Sequence, residues 1–92
     1  MGKTRTIVLN EELYQSIRCL FANDCTSGAI QAAIQDIQQN NINIDKYLIM
    51  SLKAKNNNKR ITITLNPSLL DGVKINKGVY LRAVCYYLIH LY

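Results

Sequence analysis

An eight-residue segment recurs in this chain with five of its positions identical, and the repetition limits what it can fold into more than any other feature. Lys3-Thr-Arg-Thr-Ile-Val-Leu-Asn10 returns 56 residues later as Lys59-Arg-Ile-Thr-Ile-Thr-Leu-Asn66. Lys3, Thr6, Ile7, Leu9 and Asn10 fall on Lys59, Thr62, Ile63, Leu65 and Asn66, and further on Leu13 falls on Leu69 and Ile17 on Val73. A short alternating segment that ends at a helix-capping residue, written twice, points to two equivalent halves joined in one polypeptide.

Each copy alternates with the period of a β-strand. In residues 4–9, Ile7 and Leu9 share one face while Thr4, Thr6 and Val8 share the other. In residues 60–65, Ile61, Ile63 and Leu65 oppose Arg60, Thr62 and Thr64. β-Branched side chains dominate both copies and suit a pleated, half-buried surface. Both strands stop at an asparagine able to cap a helix, followed by Glu11-Glu12 in one copy and Pro67-Ser68 in the other. The two acids lie where a helix dipole favours negative charge.

Helical spacing then predicts a helix over about 11–22 with Leu13, Ile17, Leu20 and Phe21 on one face. A turn is expected at Asn23-Asp24. A second helix is expected over about 27–40, capped by Thr26 or Ser27, with Ile30, Ala33, Ile34 and Ile37 facing the core. In the second half, a short helix over about 67–74 precedes a last helix capped by Asn76 and running to the end. Gly28 and Gly78 take equivalent places, as do Ala33 and Ala83, with an offset now of 50 residues. The second half therefore lacks about two helical turns, or a loop, between its helices. Ile44, Leu48 and Leu52 predict a linking helix between the halves, ahead of the polar turn Asn56-Asn57-Asn58. The last helix is apolar nearly all round, through Val79, Leu81, Val84, Leu88 and Leu91 with Tyr80, Tyr86, Tyr87 and Tyr92. Such a helix is buried on more than one side, in the core or against another molecule.

The 92 residues are expected to form one domain, divided into residues 1–40, a link over 41–58, and residues 59–92. With 49% apolar and 18% charged residues the composition is globular rather than disordered. No apolar run is long enough to span a bilayer, and the start Met1-Gly2-Lys3-Thr4-Arg5 does not read as a signal peptide. Cys19, Cys25 and Cys85 are odd in number and lack CxxC spacing, so neither a disulfide framework nor a zinc site with the lone His90 is expected. The simplest reading is three reduced, mostly buried thiols in a cytoplasmic compartment, with a Cys19–Cys25 bridge left open. No metal, cofactor or small-molecule substrate is implied, and no catalytic constellation is present, so an enzyme is not expected.

Charge distribution says more than the net +5. Lys3 and Arg5 flank the first strand, while Lys53, Lys55, Lys59 and Arg60 lead into the second. Cations gathered around both copies of the repeat suggest a polyanionic partner.

Lys59-Arg-Ile-Thr-Ile-Thr-Leu-Asn-Pro-Ser-Leu-Leu70 followed by Asn76-Lys-Gly-Val-Tyr-Leu-Arg-Ala-Val84 resembles the ribbon-helix-helix family of DNA-binding transcriptional regulators. Thr4-Arg-Thr-Ile-Val-Leu-Asn-Glu-Glu-Leu13 and Ser27-Gly-Ala-Ile-Gln-Ala-Ala-Ile34 resemble it a second time, and the composition is similar to that of such regulators from archaeal viruses and plasmids. The resemblance implies a mainly α fold with a two-stranded antiparallel β-ribbon, made of two ribbon-helix-helix motifs fused in tandem as an intramolecular pseudo-dimer. Family members pair one strand from each subunit and insert the ribbon into the DNA major groove. Here both strands belong to one chain, and pairing them satisfies backbone groups that a lone strand would leave open.

On that reading the base-contacting face carries Thr4, Thr6, Val8, Arg60, Thr62 and Thr64, with Arg60 the best candidate for a bidentate guanine contact. A face with four threonines and a valine departs from the longer polar side chains usual in the family, which shifts weight to phosphate contacts and DNA shape. Phosphates are expected at the second-helix N-termini, through Ser27, Gly28 and Ala29 in one half and Lys77, Gly78 and Val79 in the other, and at the ribbon ends through Lys3, Arg5 and Lys59. The expected function is sequence-specific double-stranded DNA binding by a repressor that occludes a promoter, with self-association on DNA through the terminal helix. The competing reading is an antitoxin-like or other protein-interaction module in which DNA binding is secondary or absent.

Overall fold

The two copies of the repeat are strands, and they pair with each other. The computed structural model of the chain describes residues 2–91, with Asn23 described by its backbone alone. Strand β1 (Lys3–Leu9) lies antiparallel to β2 (Lys59–Leu65), with Thr4 opposite Thr64, Thr6 opposite Thr62 and Val8 opposite Arg60. Among the described residues, four α-helices complete the order: α1 (Glu11–Leu20), α2 (Asn23–Gln39), α3 (Asp45–Lys53) and α4 (Lys77–Leu91), with a 3₁₀ turn at Pro67–Leu70. The chain is mainly helical with one two-stranded antiparallel sheet. Tyr92, grouped above with the apolar residues of the last helix, lies outside the described residues.

One face of the ribbon is the floor of the core. Ile7, Leu9, Ile61, Ile63 and Leu65 are all buried there. At about 1.5–3 kcal/mol for each fully buried aliphatic side chain, this face contributes on the order of 8–15 kcal/mol, an upper figure because unfolded chains are partly compact. Slipping either strand by one residue would turn its own share of these side chains to water, which is why the pairing is well specified.

Helix α4 is the centre of the molecule. It packs on α1, α2, α3 and β1, and Leu81, Ala83, Val84, Cys85, Tyr87 and Leu88 are buried along it. Its all-round apolar character is therefore met inside this chain, and Leu91 at its end is its exposed large apolar residue. Of the two surroundings its sequence allows, the core and another molecule, α4 takes the core, with α3 packed along one side. Among the described residues, three of the six exposed large apolar side chains lie on α3, at Ile49, Met50 and Leu52, and the others are Leu20, Ile75 and Leu91.

The three asparagine caps form as their chemistry demands. Asn10 Oδ1 accepts from the Leu13 amide at 2.8 Å, and Asn66 Oδ1 accepts from Ser68 at 3.0 Å. Asn76 Oδ1 accepts from both Gly78 and Val79, at 2.9 and 3.2 Å. The positive φ values in the connections belong to Asn41 and Asn56, a residue type that tolerates the left-handed region.

Three boundaries differ from expectation. α1 ends at Leu20, because Phe21 turns extended (φ −135°, ψ 133°) to pack on the core. α2 begins at Asn23, so Asn23-Asp24 is a first helical turn and not a loop. Thr26 does not cap it: buried within the helix, its hydroxyl donates back to the Ala22 carbonyl at 2.9 Å, the bond a mid-helix threonine makes. The helix expected over 67–74 is only the 3₁₀ turn, held by Pro67 at its start and closed at Asp71.

Candidate nucleic-acid interface

The exposed ribbon face carries the six side chains assigned to it by alternation. Thr4, Thr6, Arg60, Thr62 and Thr64 are exposed and Val8 is half-buried. The backbone shows why they form one surface. The Thr64 amide donates outward to Ser27 Oγ at 2.9 Å, and the Val8 carbonyl accepts outward from Arg82 Nη1 at 3.1 Å. Thr4–Thr64, Thr6–Thr62 and Val8–Arg60 are thus the non-hydrogen-bonded pairs of the ladder, whose side chains approach most closely. The result is a narrow strip of hydroxyl and methyl groups with one guanidinium at its end. No acidic residue belongs to it.

Lys3 and Arg5 sit on the opposite side of β1, across from Leu65 and Ile63, at the open end of the ribbon. Lys3 is exposed and Arg5 half-buried. Lys59 Nζ lies 3.8 Å from Glu11 Oε1 and 5.8 Å from the centre of the Tyr14 ring. Surface ion pairs of this kind are worth about 0–1 kcal/mol, so the lysine can exchange Glu11 for another anion at little cost.

The helix N-termini are built differently from what the sequence suggested. Because α2 starts at Asn23, Ser27, Gly28 and Ala29 lie beyond the orphan amides of its first turn, and their N–H groups belong to intrahelical bonds. Ser27 has another task, since its Oγ accepts the Thr64 amide and ties α2 to the edge of β2. Gln31 Oε1 does the same for Asn66 at 3.2 Å. At α4, the amides of Gly78 and Val79 are already met by Asn76, and the Lys77 amide lies ahead of them. A Cβ at position 78 would come within 3.1 Å of Asn76 Oδ1, so Gly78 makes room for the cap itself. Gly28 has open space around it.

Two residues that the sequence reading passed over stand beside the ribbon. Tyr14 and Arg18, one turn apart on α1, line a polar cavity of about 270 Å³ with Arg60, Ile61 and Thr62. Arg18 Nη2 donates to Thr26 Oγ1 at 3.0 Å, and its guanidinium lies 5.8 Å from the centre of the Tyr14 ring. The i, i+4 spacing of an aromatic and a cation was the available signal. Only the fold shows that they meet Arg60.

The thiols divide by position. Cys19 and Cys25 are exposed and unbridged, contrary to the expectation of mostly buried cysteines, because they lie at the end of α1 and the start of α2. Cys85 is fully buried in α4, and burial pushes its thiol up to about 12. Among the described residues no group of His, Cys, Asp and Glu could hold a metal ion, and no helix is long and apolar enough to cross a membrane. Comparison with known proteins finds no matching family model, no matching curated protein and no matching solved structure.

Proposed function

We propose that this chain is a single-chain, pseudo-dimeric regulator of the ribbon-helix-helix type, which binds double-stranded DNA by laying its β-ribbon in the major groove and represses transcription by occluding a promoter. One observation carries the reading. Thr6 and Thr62, equivalent positions of the repeat, face each other at the middle of the ladder, and exchanging the copies maps the Thr4–Thr64 pair onto Val8–Arg60. That is the register a two-fold dimer of strands would have. The packing supports it, since α2 rests on the strand of the other half, β2, and α4 rests on β1. A two-stranded ribbon fits the major groove, where Arg60 reaches a guanine edge and the threonines offer hydroxyls and methyls. Lys3, Arg5 and Lys59 supply phosphate contacts at the ribbon margins.

The test is fluorescence anisotropy on duplex DNA across a salt series, with Arg60→Ala and Thr62→Ala beside the wild type. Arg60→Ala is expected to cost about 1–3 kcal/mol on the preferred site and to relax preference at one base pair. Absence of binding by the wild type at low salt refutes the proposal. Salt-sensitive binding that neither substitution changes reduces it to nonspecific association. A protein-interaction module is the second reading, favoured by Ile49, Met50 and Leu52 exposed together on α3. Those residues, rather than the terminal helix, are where self-association on DNA would occur.

A further inference from the structure

We propose that α3 is the interface of a homodimer, in which two copies of this chain pair through α3 in antiparallel fashion about a two-fold axis at Ile49. The inference goes beyond the DNA-binding reading and does not rest on it, since none of the residues involved belongs to the ribbon face. The inner side of α3 is committed to α4: Tyr47 meets the Tyr87 ring edge-on at 5.7 Å, and Ser51 donates to the Val79 carbonyl. The outer side carries Asp45, Lys46, Ile49, Met50, Leu52 and Lys53, all exposed. Ile49, Met50 and Leu52 keep 51, 45 and 69% of their surface in water, the largest such group on one element among the described residues, and a cluster of this kind marks a contact site.

Charge on that face favours a second copy as its partner. Asp45 opens the helix and Lys53 closes it, each four residues from Ile49. When two such helices lie antiparallel with Ile49 against Ile49, Asp45 of each meets Lys53 of the other, and the positive end of each helix dipole lies beside the negative end of its neighbour. Laid parallel, the same helices would set Asp45 against Asp45 and Lys53 against Lys53, which costs energy. One patch that complements itself in reverse is what a closed two-fold dimer requires.

Shape beside Ile49 fits the same arrangement. A groove of about 610 Å³ runs along one flank of α3, walled by Ile42, Tyr47, Ile49 and Tyr87 with Lys46 at its rim. Met50 stands one turn beyond Lys46 and therefore on that same flank. A two-fold axis crossing the helix pair sets each flank against its own counterpart in the reverse direction, so Met50 of each chain faces the groove of the other. Its unbranched thioether adapts to an irregular space of this kind. A nine-residue helix is only about 13 Å long. The contact is therefore smaller than the roughly 800 Å² per partner of a standard interface, and the dimer should be half-formed at roughly 10–100 μM.

Two measurements on the DNA-free protein test this, both under reducing conditions because Cys19 and Cys25 are exposed. In sedimentation equilibrium from about 5 μM to about 1 mM, the average mass of the wild type should rise from 10.5 kDa toward twice that value, and Ile49→Glu, with an unchanged thermal melt, should weaken association about tenfold or more. Zero-length carbodiimide coupling of the wild type should join Asp45 to Lys53 in the covalent dimer, read by mass spectrometry of its peptides. Within one chain these residues are eight positions apart on a helix, about 12 Å, which a zero-length link cannot span. A wild type that stays at 10.5 kDa throughout overturns the proposal and leaves the α3 face to a different protein. Undiminished association of a folded Ile49→Glu overturns α3 as the interface. A covalent dimer without the Asp45–Lys53 link overturns the antiparallel arrangement, whether or not Ile49→Glu folds. None of these results bears on the ribbon, whose DNA test stands apart.

Discussion

Removing the Arg82 side chain should damage this protein more than removing any other partly exposed residue. Arg82 projects from α4, where its Nε and Nη2 donate to the Ser51 carbonyl at 3.3 and 3.1 Å and its Nε also reaches Ser51 Oγ at 3.1 Å. Its Nη1 donates to the Val8 carbonyl at 3.1 Å. One guanidinium thus joins the last turn of α3, the central helix and the outer edge of β1, and at α3 it also meets the negative end of the helix dipole. Ser51 is fully buried, and its hydroxyl in turn donates to the Val79 carbonyl at 2.8 Å. A hydrogen bond to a charged group is worth about 1.5–3 kcal/mol, and the loss removes a donor from the Val8 carbonyl and the Ser51 hydroxyl, while the Ser51 carbonyl keeps the Ala54 N–H at 3.3 Å. Arg82 is itself half-buried, so water recovers part of this, and Arg82→Ala should cost about 2–4 kcal/mol. For a domain of this size that lowers Tm by roughly 10–25 °C. Thermal melts followed by circular dichroism measure it, with Arg82→Lys expected to recover only part because an ammonium cannot reproduce the fork. A double-mutant cycle with Ser51→Ala should give a coupling of about 1–3 kcal/mol. A fall in Tm below about 5 °C, or single effects that simply add, would refute this account of how α3, α4 and the ribbon are joined.

Three further outcomes are expected. Gly28→Ala should stabilise the chain by about 0.5–1 kcal/mol in denaturant melts, because position 28 is within α2 with open space for a methyl group; a stabilised variant that also binds DNA less well would identify that spot as a place of close phosphate approach. Cys85 should resist Ellman's reagent at pH 8 while Cys19 and Cys25 react, with the third thiol appearing only on unfolding. The same burial makes stability depend on alkaline pH. The folded thiol keeps its proton up to about 12 while the unfolded thiol loses it from about 9, so this contribution is whole below pH 9 and declines as pH rises between those values. Melts from pH 8 to 11 should show that decline, and Cys85→Ala should lessen it.

The ribbon shows how far local pattern reaches. Period-two alternation decided which side chains of residues 4–9 and 60–65 face the core, and Ile7, Leu9, Ile61, Ile63 and Leu65 are buried accordingly. α2 shows where local pattern stops. Thr26 and Ser27 carry the side chains of a helix cap, yet both are used for longer-range bonds, Thr26 as acceptor for Arg18 and Ser27 for the β2 edge. Their hydroxyls were legible in the sequence. Their partners, 8 and 37 residues away, were not.

By itself, then, the sequence determined what neighbours along the chain decide: two amphipathic strands, asparagine caps at residues 10, 66 and 76, the linking helix, and a cationic bias around the repeat. The tertiary structure alone decided what depends on groups brought together from distant positions. It placed Thr6 opposite Thr62, covered α4 with α1, α2, α3 and β1 of its own chain, and left Ile49, Met50 and Leu52 of α3 exposed. It also brought Arg18 to Arg60 and Arg82 to Val8. The physical reason is that capping and alternation are set within one or two turns of backbone. A guanidinium's partners, and which faces of an apolar helix are covered, are fixed only when the whole core closes.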